Sequence, residues 1–260
     1  MKRGLRVLTL LTAAALSYTG AALDAWAQKK ATPRPAGEQS QPKKVSTRPE
    51  EESKPGATVE TKTKEDPNAA RYVYEFEQPD FFVYFMRIEH DERGHGLIRF
   101  ERRSDTEQIT EPLELSPAAW ERIRAHWTAL RFLDSTANYQ GERTYPSLGK
   151  TRLTLKQGGR ERTAEFNYSQ NSDAQGLAEE YRRAGDQAVF VFDIHVALES
   201  QPLETPKLLT RLEALIKNNY LSDDRQLVPL LRDLSEDERV PLVGRNQAAR
   251  ILKKLDKQAQ

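Results

Sequence analysis

DAQGLAEEYRRAGDQAVFVFDIHVALES, residues 173–200, decides the architecture of this chain. Stepping by four and three, Leu177, Tyr181, Ala184, Ala188, Val191, His195 and Leu198 fall on one stripe of an α-helix, broken only by His195. The first half is amphipathic, with Glu179 placed to pair with Arg183 one turn on. From Ala188 to Leu198 only Asp193 and His195 are polar, so this half is expected to be buried nearly all round. The segment VFVFDIHV is also rich in β-branched and aromatic residues, and a buried strand is the rival assignment. The two differ in chemistry. Residues two apart share a face on a strand, where Asp193 and His195 would pair, and they diverge on a helix. The helix is favoured because one apolar stripe continues in register through both halves.

This helix is the seam of the chain, and upstream of it the pattern is β-rich. Tyr72, Tyr74 and Phe76 alternate with polar neighbours, and Phe81 to Glu89 follows as a second strand after Pro79-Asp80. The run from Asp91 to Gly96 turns the chain into a third, Leu97 to Arg103, with Ile98 and Phe100 on one face. A short strand from Gln108 to Leu115 carries Pro112, which marks an edge or an irregularity. Ser116-Pro117 starts a helix whose stripe is Trp120, Ile123, Trp127 and Leu130. After a long connection from Phe132 to Gly149, a hairpin turns at Gly158-Gly159 between Leu153, Leu155 and the returning Ala164, Phe166 and Tyr168. The expected fold is α+β, an antiparallel sheet of about five strands with two helices packed on it, over residues 71–200.

Downstream, residues 201–260 are expected to form a small helical unit packed on the seam helix. Thr205-Pro206 opens one helix, and Ser222 opens a shorter one that Pro229 kinks or shortens. A capping box at Ser235 and Glu238 opens the last, with Ala248, Ile251, Leu252 and Leu255 inward. The stretch LVPLLRDLSEDERVPLVGRNQAARILKKL resembles a single helical repeat of the HEAT type, with a longer inter-helix stretch and no neighbouring repeats. From Val73 onward the chain also resembles uncharacterised exported bacterial proteins with a secretion signal, a Pro-rich spacer, an α+β domain and a helical tail. That resemblance implies no activity.

At the other end, Lys2, Arg3 and Arg6 precede a mainly apolar run from Val7 to Leu16, and Ala25-Trp26-Ala27 supplies a small-x-small cleavage pattern. Residues 1–27 are therefore expected to be a secretory signal peptide, with a retained anchor as the alternative, and the protein to be periplasmic or secreted. Residues 28–70 hold no aromatic, Leu or Ile and six prolines, the composition of a disordered spacer. No transmembrane span is expected in the mature chain. The chain has no cysteine, which removes thiol nucleophiles, disulfides and Cys-type metal sites. Its net charge of +1 argues against nucleic-acid binding by bulk electrostatics.

Motifs for phosphate loops, dinucleotide fingerprints, nucleophile elbows and zinc-protease helices are absent, so no cofactor is expected. Two groups of residues remain as candidates. His90, Asp91 and His95 are metal-capable, although hairpin turns use the same residue types for turn chemistry. Tyr139, Glu142, Arg143 and Tyr145 lie in the long connection, where loops of this length often bind ligands; a packed surface loop without a role is the alternative. His126 and His195 are expected to be partly buried structural histidines. Together these features point to an exported cell-envelope module that binds a protein partner. An envelope hydrolase with dispersed residues is the alternative.

Overall fold

β1 (Arg71–Glu77) lies inside the sheet, with β2 (Val83–Asp91) on one side and β5 (Lys150–Gln157) on the other. Tyr72, Tyr74 and Phe76 alternate down one of its faces and stack under the helices, which is why an aromatic-rich strand ends up central. β3 (His95–Arg102), β4 (Ile109–Glu114) and β6 (Arg160–Phe166) complete an antiparallel six-stranded sheet in the order β4-β3-β2-β1-β5-β6, one strand more than the five expected. The computed structural model describes residues 68–258. The expected export signal over residues 1–27 and nearly all of the spacer expected over 28–70 lie outside the described residues.

α1 (Pro117–Leu130) begins as its sequence demands. Ser116 Oγ accepts from Ala119 N at 3.1 Å, Pro117 takes the first helical position, and Ile123, Trp127 and Leu130 are buried. α2 (Ser172–Ser200) is a single 29-residue helix capped by Asn171, so the rival strand over 189–196 is excluded. α1 and the first half of α2 cover one face of the sheet and close a core that includes Met86, Ile88, Ile98, Phe100, Leu153 and Tyr181. The opposite face is laced with ion pairs, across strands from Arg87 to Glu75 and from Arg152 to Glu75 and Glu165, and along β2 from Arg87 to Glu89.

The second half of α2 belongs to two cores at once. Val189 and Phe192 stay on the sheet side. Phe190 and Ile194, both fully buried, face a second core supplied by α3 (Thr205–Lys217), α4 (Val228–Glu236) and α5 (Leu242–Gln258), including Leu209, Leu212, Leu231 and Ile251. Between these faces the helix is open: Val196 is 43 % exposed and His195 is exposed, so this half is not buried all round and His195 is not a core histidine. Asp193 and His195 do not pair. Asp193 is held at 2.5 Å by Arg102 of β3 and at 3.1 Å by Arg211 of α3, tying sheet, seam helix and tail together. Glu179 accepts instead from Gln175, and Arg183 pairs with Glu180.

Two tail boundaries differ from expectation. Ser235 lies inside α4, and α5 starts only after Val240-Pro241, because a proline is favoured at a helix start and cannot sit deep inside one. Asp223, not Ser222, caps the turn of 3-10 helix (Asp224–Leu227) that leads into α4, and Pro229 falls in the first turn of α4, where it kinks nothing. Among the described residues no helix is long and apolar enough to cross a membrane.

Close approach of α2 to the sheet depends on Gly185. A Cβ there would overlap Met86 Sδ and come within 2.8 Å of Met86 Cε, in a side chain with no exposed surface. Gly185→Val should therefore cost about 3 kcal/mol despite a better helix former, seen as a lower urea midpoint with an unchanged slope. An unchanged midpoint would show that the helix has room to shift.

Candidate functional site

The stripe along α2 makes sense once its surroundings are followed. Leu177, Tyr181 and Ala184 are buried against the sheet, whereas from Ala184 through Ala188 and Val191 to His195 the same stripe runs along a cleft of about 240 Å³. The opposite wall is the edge strand β4 and its continuation, with Glu111, Leu113 and Leu115. Ser222, Gln226 and Leu227 of the tail close one end. Two alanines in the stripe leave the space that larger side chains would have filled, and Phe192 and Leu227 make the walls apolar.

Amides fix this geometry. Gln187 of α2 donates to Gln226 Oε1 at 3.0 Å and accepts from Asp223 N at 2.9 Å, while Gln226 Nε2 donates to Glu114 O at 3.1 Å. Three segments far apart in sequence are thus held around one opening. Ser222 is buried and its hydroxyl has no hydrogen-bond partner, an unsatisfied polar group beside the closed end of the cleft. The fully charged side chains bordering the cleft are Glu111 and Glu114, both acidic. Sequence reasoning missed Glu111, Gln187, Ser222 and Gln226; the available signal was Ala184 and Ala188 in a stripe that ends on a histidine.

The metal-capable trio borders one depression of about 660 Å³, together with Arg99 and Lys156, but its members are engaged separately. His90, buried on the helix face of β2, places Nε2 2.7 Å from Tyr181 Oη and Nδ1 2.6 Å from Asp91 O. Trp127 Nε1 donates to the same Tyr181 oxygen at 3.0 Å, so the phenol donates to Nε2 and Nδ1 carries the ring proton. Burial lowers the His90 pKa to about 4, and Tyr72 stacks on its ring at 5.2 Å. Asp91 Oδ1 accepts from Arg93 N and His95 N in the hairpin turn. His95 is exposed, 3.7 Å from Glu114. Among the described residues no group of three or more His, Asp or Glu side chains is placed to hold a metal ion.

In the long connection, Tyr139 is buried, stacked on Phe132 at 6.0 Å and bonded to Arg162. Tyr145 packs edge-on against Tyr168, and Glu142 and Arg143 are exposed. A shallow depression of about 660 Å³ lies beside this loop, but it is lined by Asn138, Gln140, Thr144 and Pro146, the neighbours of those four residues. Its amides are engaged in knitting the loop together: Asn167 bonds both backbone groups of Tyr145 and the carbonyl of Gly149, Gln140 accepts from Asn167 N, and Gln78 donates to Pro146 O. His126 is half-buried and sits 3.0 Å from Asp173.

No family model matches the chain, and no curated protein matches it in sequence.

Proposed function

We propose that this is an exported cell-envelope interaction module whose seam cleft receives one large apolar side chain, flanked by lysine or arginine, from a protein partner. The observation that carries this is the half-open apolar stripe from Ala184 to His195, framed by three amide-tied segments and bordered by Glu111 and Glu114. The charged rim selects a cationic neighbour, and the small opening selects a single anchor residue. The pair α4–α5, similar to one HEAT-type repeat, packs in one core with Phe190 and Ile194 of the seam helix. The most strongly perturbed histidine, His90, is buried with both ring nitrogens engaged by Tyr181 and the Asp91 carbonyl, a structural role that favours interaction over hydrolysis.

A photo-crosslinking residue placed at Ala188 in the full chain, expressed with its native N-terminus, should yield a discrete protein adduct in the cell envelope. The adduct should disappear when Leu113→Arg blocks the opposite wall. Equal adduct formation from a probe at exposed Glu142 would refute the cleft as the docking site.

A further inference from the structure

The two edges of the sheet are treated differently. β4 is guarded: the register to β3, together with the Leu115 N to Gly94 O bond, turns the backbone groups of Thr110, Pro112 and Glu114 outward. Pro112 has no N–H to offer, and Glu114 O is taken by Gln226. β6 has no such device. The two-residue turn Gly158-Gly159 makes Gln157 and Arg160 a hydrogen-bonded pair, so Arg160, Arg162, Ala164 and Phe166 bond to β5, and Glu161, Thr163 and Glu165 turn N–H and C=O outward. All three residues are exposed, and among the described residues none of those six backbone groups has a hydrogen-bond partner.

We propose that β6 is a strand-addition site for an extended segment of another protein, paired antiparallel and carrying lysine or arginine at positions four apart. Charge chooses the occupant. On the ion-paired face, two rows end at β6 on carboxylates: Glu75, Arg152 and then Glu165, which alternate in sign, and Lys156 and then Glu161. A cation opposite each extends both rows by one strand. A second copy of this chain paired about Thr163 would set Glu161 against Glu165 twice, and like charges directly opposite repel. Thr163, whose hydroxyl lies 2.9 Å from that of Thr154, leaves a β-branched partner the central position. This surface is at the far edge from the seam cleft and does not depend on it.

The probe is a synthetic peptide, Thr-Val-Lys-Thr-Val-Thr-Lys-Val-Thr, titrated against the full chain, with a glutamate-for-lysine peptide as control. At saturation, hydrogen exchange at the amides of Glu161, Thr163 and Glu165 should slow by about tenfold or more, with no change at Thr110. Glu161→Gln with Glu165→Gln should weaken binding by about tenfold and flatten its salt dependence. Thr163→Pro, which removes an outward N–H and spares the β5 pairing, should abolish protection without lowering the melting temperature by more than a few degrees. Exchange that stays fast with peptide bound, equal binding of the glutamate peptide, or protection that appears with protein concentration alone would each overturn the proposal, the last by showing that a second copy occupies the edge.

Discussion

Ending the chain at Ser200 should cost about 3–6 kcal/mol and leave a protein that aggregates on mild warming. Phe190 and Ile194 have no exposed surface in the full chain, and they share one core with tail residues that include Leu209, Leu212, Leu231 and Ile251. Exposing two such side chains forfeits about 1.5–3 kcal/mol each. The amide ties from Gln187 to Asp223 and Gln226 go with them, as does the Arg211 bond to Asp193. What remains presents a contiguous apolar patch along α2 of the kind that associates. Differential scanning calorimetry compares the two forms directly. A truncated protein that stays monomeric and melts with the full chain would make the tail a separate module and would move the seam cleft out of contention, since Ser222, Gln226 and Leu227 close it.

Acid should unfold this protein through His90. Burial lowers its folded pKa to about 4, whereas in the unfolded chain the imidazole titrates near its ordinary value of about 6.5. Below pH 6.5 the unfolded chain takes up a proton that the folded one refuses. Stability is therefore complete above that value and falls as the pH drops towards 4, by about 3 kcal/mol over the window. Protonation at Nε2 would also leave the imidazolium facing the phenol O–H of Tyr181, itself tied to Trp127. Asp186 works in the opposite sense, because burial raises its carboxyl pKa and favours the folded form at low pH. The comparison that isolates His90 is with His90→Leu. That variant should be less stable at neutral pH by about 1–3 kcal/mol, since Tyr181 loses its acceptor, but should lose less on acidification. Parallel pH profiles for the two proteins would rule His90 out as the source.

Local signals were readable where one segment decides its own state. Ser116-Pro117, the alternation of Tyr72, Tyr74 and Phe76, and Gly158-Gly159 each define an element without help from elsewhere, and each appears where expected. Competing local signals were harder. Ser235 and Glu238 have the spacing of a capping box, yet Pro241 sets the start of α5, because proline constrains the backbone more tightly than a side-chain cap does. The seam helix shows a deeper limit. Its residues from 188 to 198 are apolar because two cores flank the helix, and no count of apolar residues separates that case from burial on every side. The cleft between the cores joins β4, α2 and a turn of the tail, segments whose meeting no local pattern encodes. In the long connection, the sequence located the loop, but which of its residues line the depression depends on amide bonds from Gln78 and Asn167, outside it.

The position of β1 also has a kinetic meaning. Its pairing with β2 joins neighbours in sequence, but its pairing with β5 joins Arg71 to Lys156 across the whole of β2, β3, β4 and α1. The meander from β1 to β4 can assemble from local contacts, with β1 as its bare outer strand. Only when the later hairpin docks does that strand become interior, and closing so long a loop is slow relative to hairpin formation. A folding chain therefore passes through an interval in which Val73 and the outward amides of β1 are open to any passing strand.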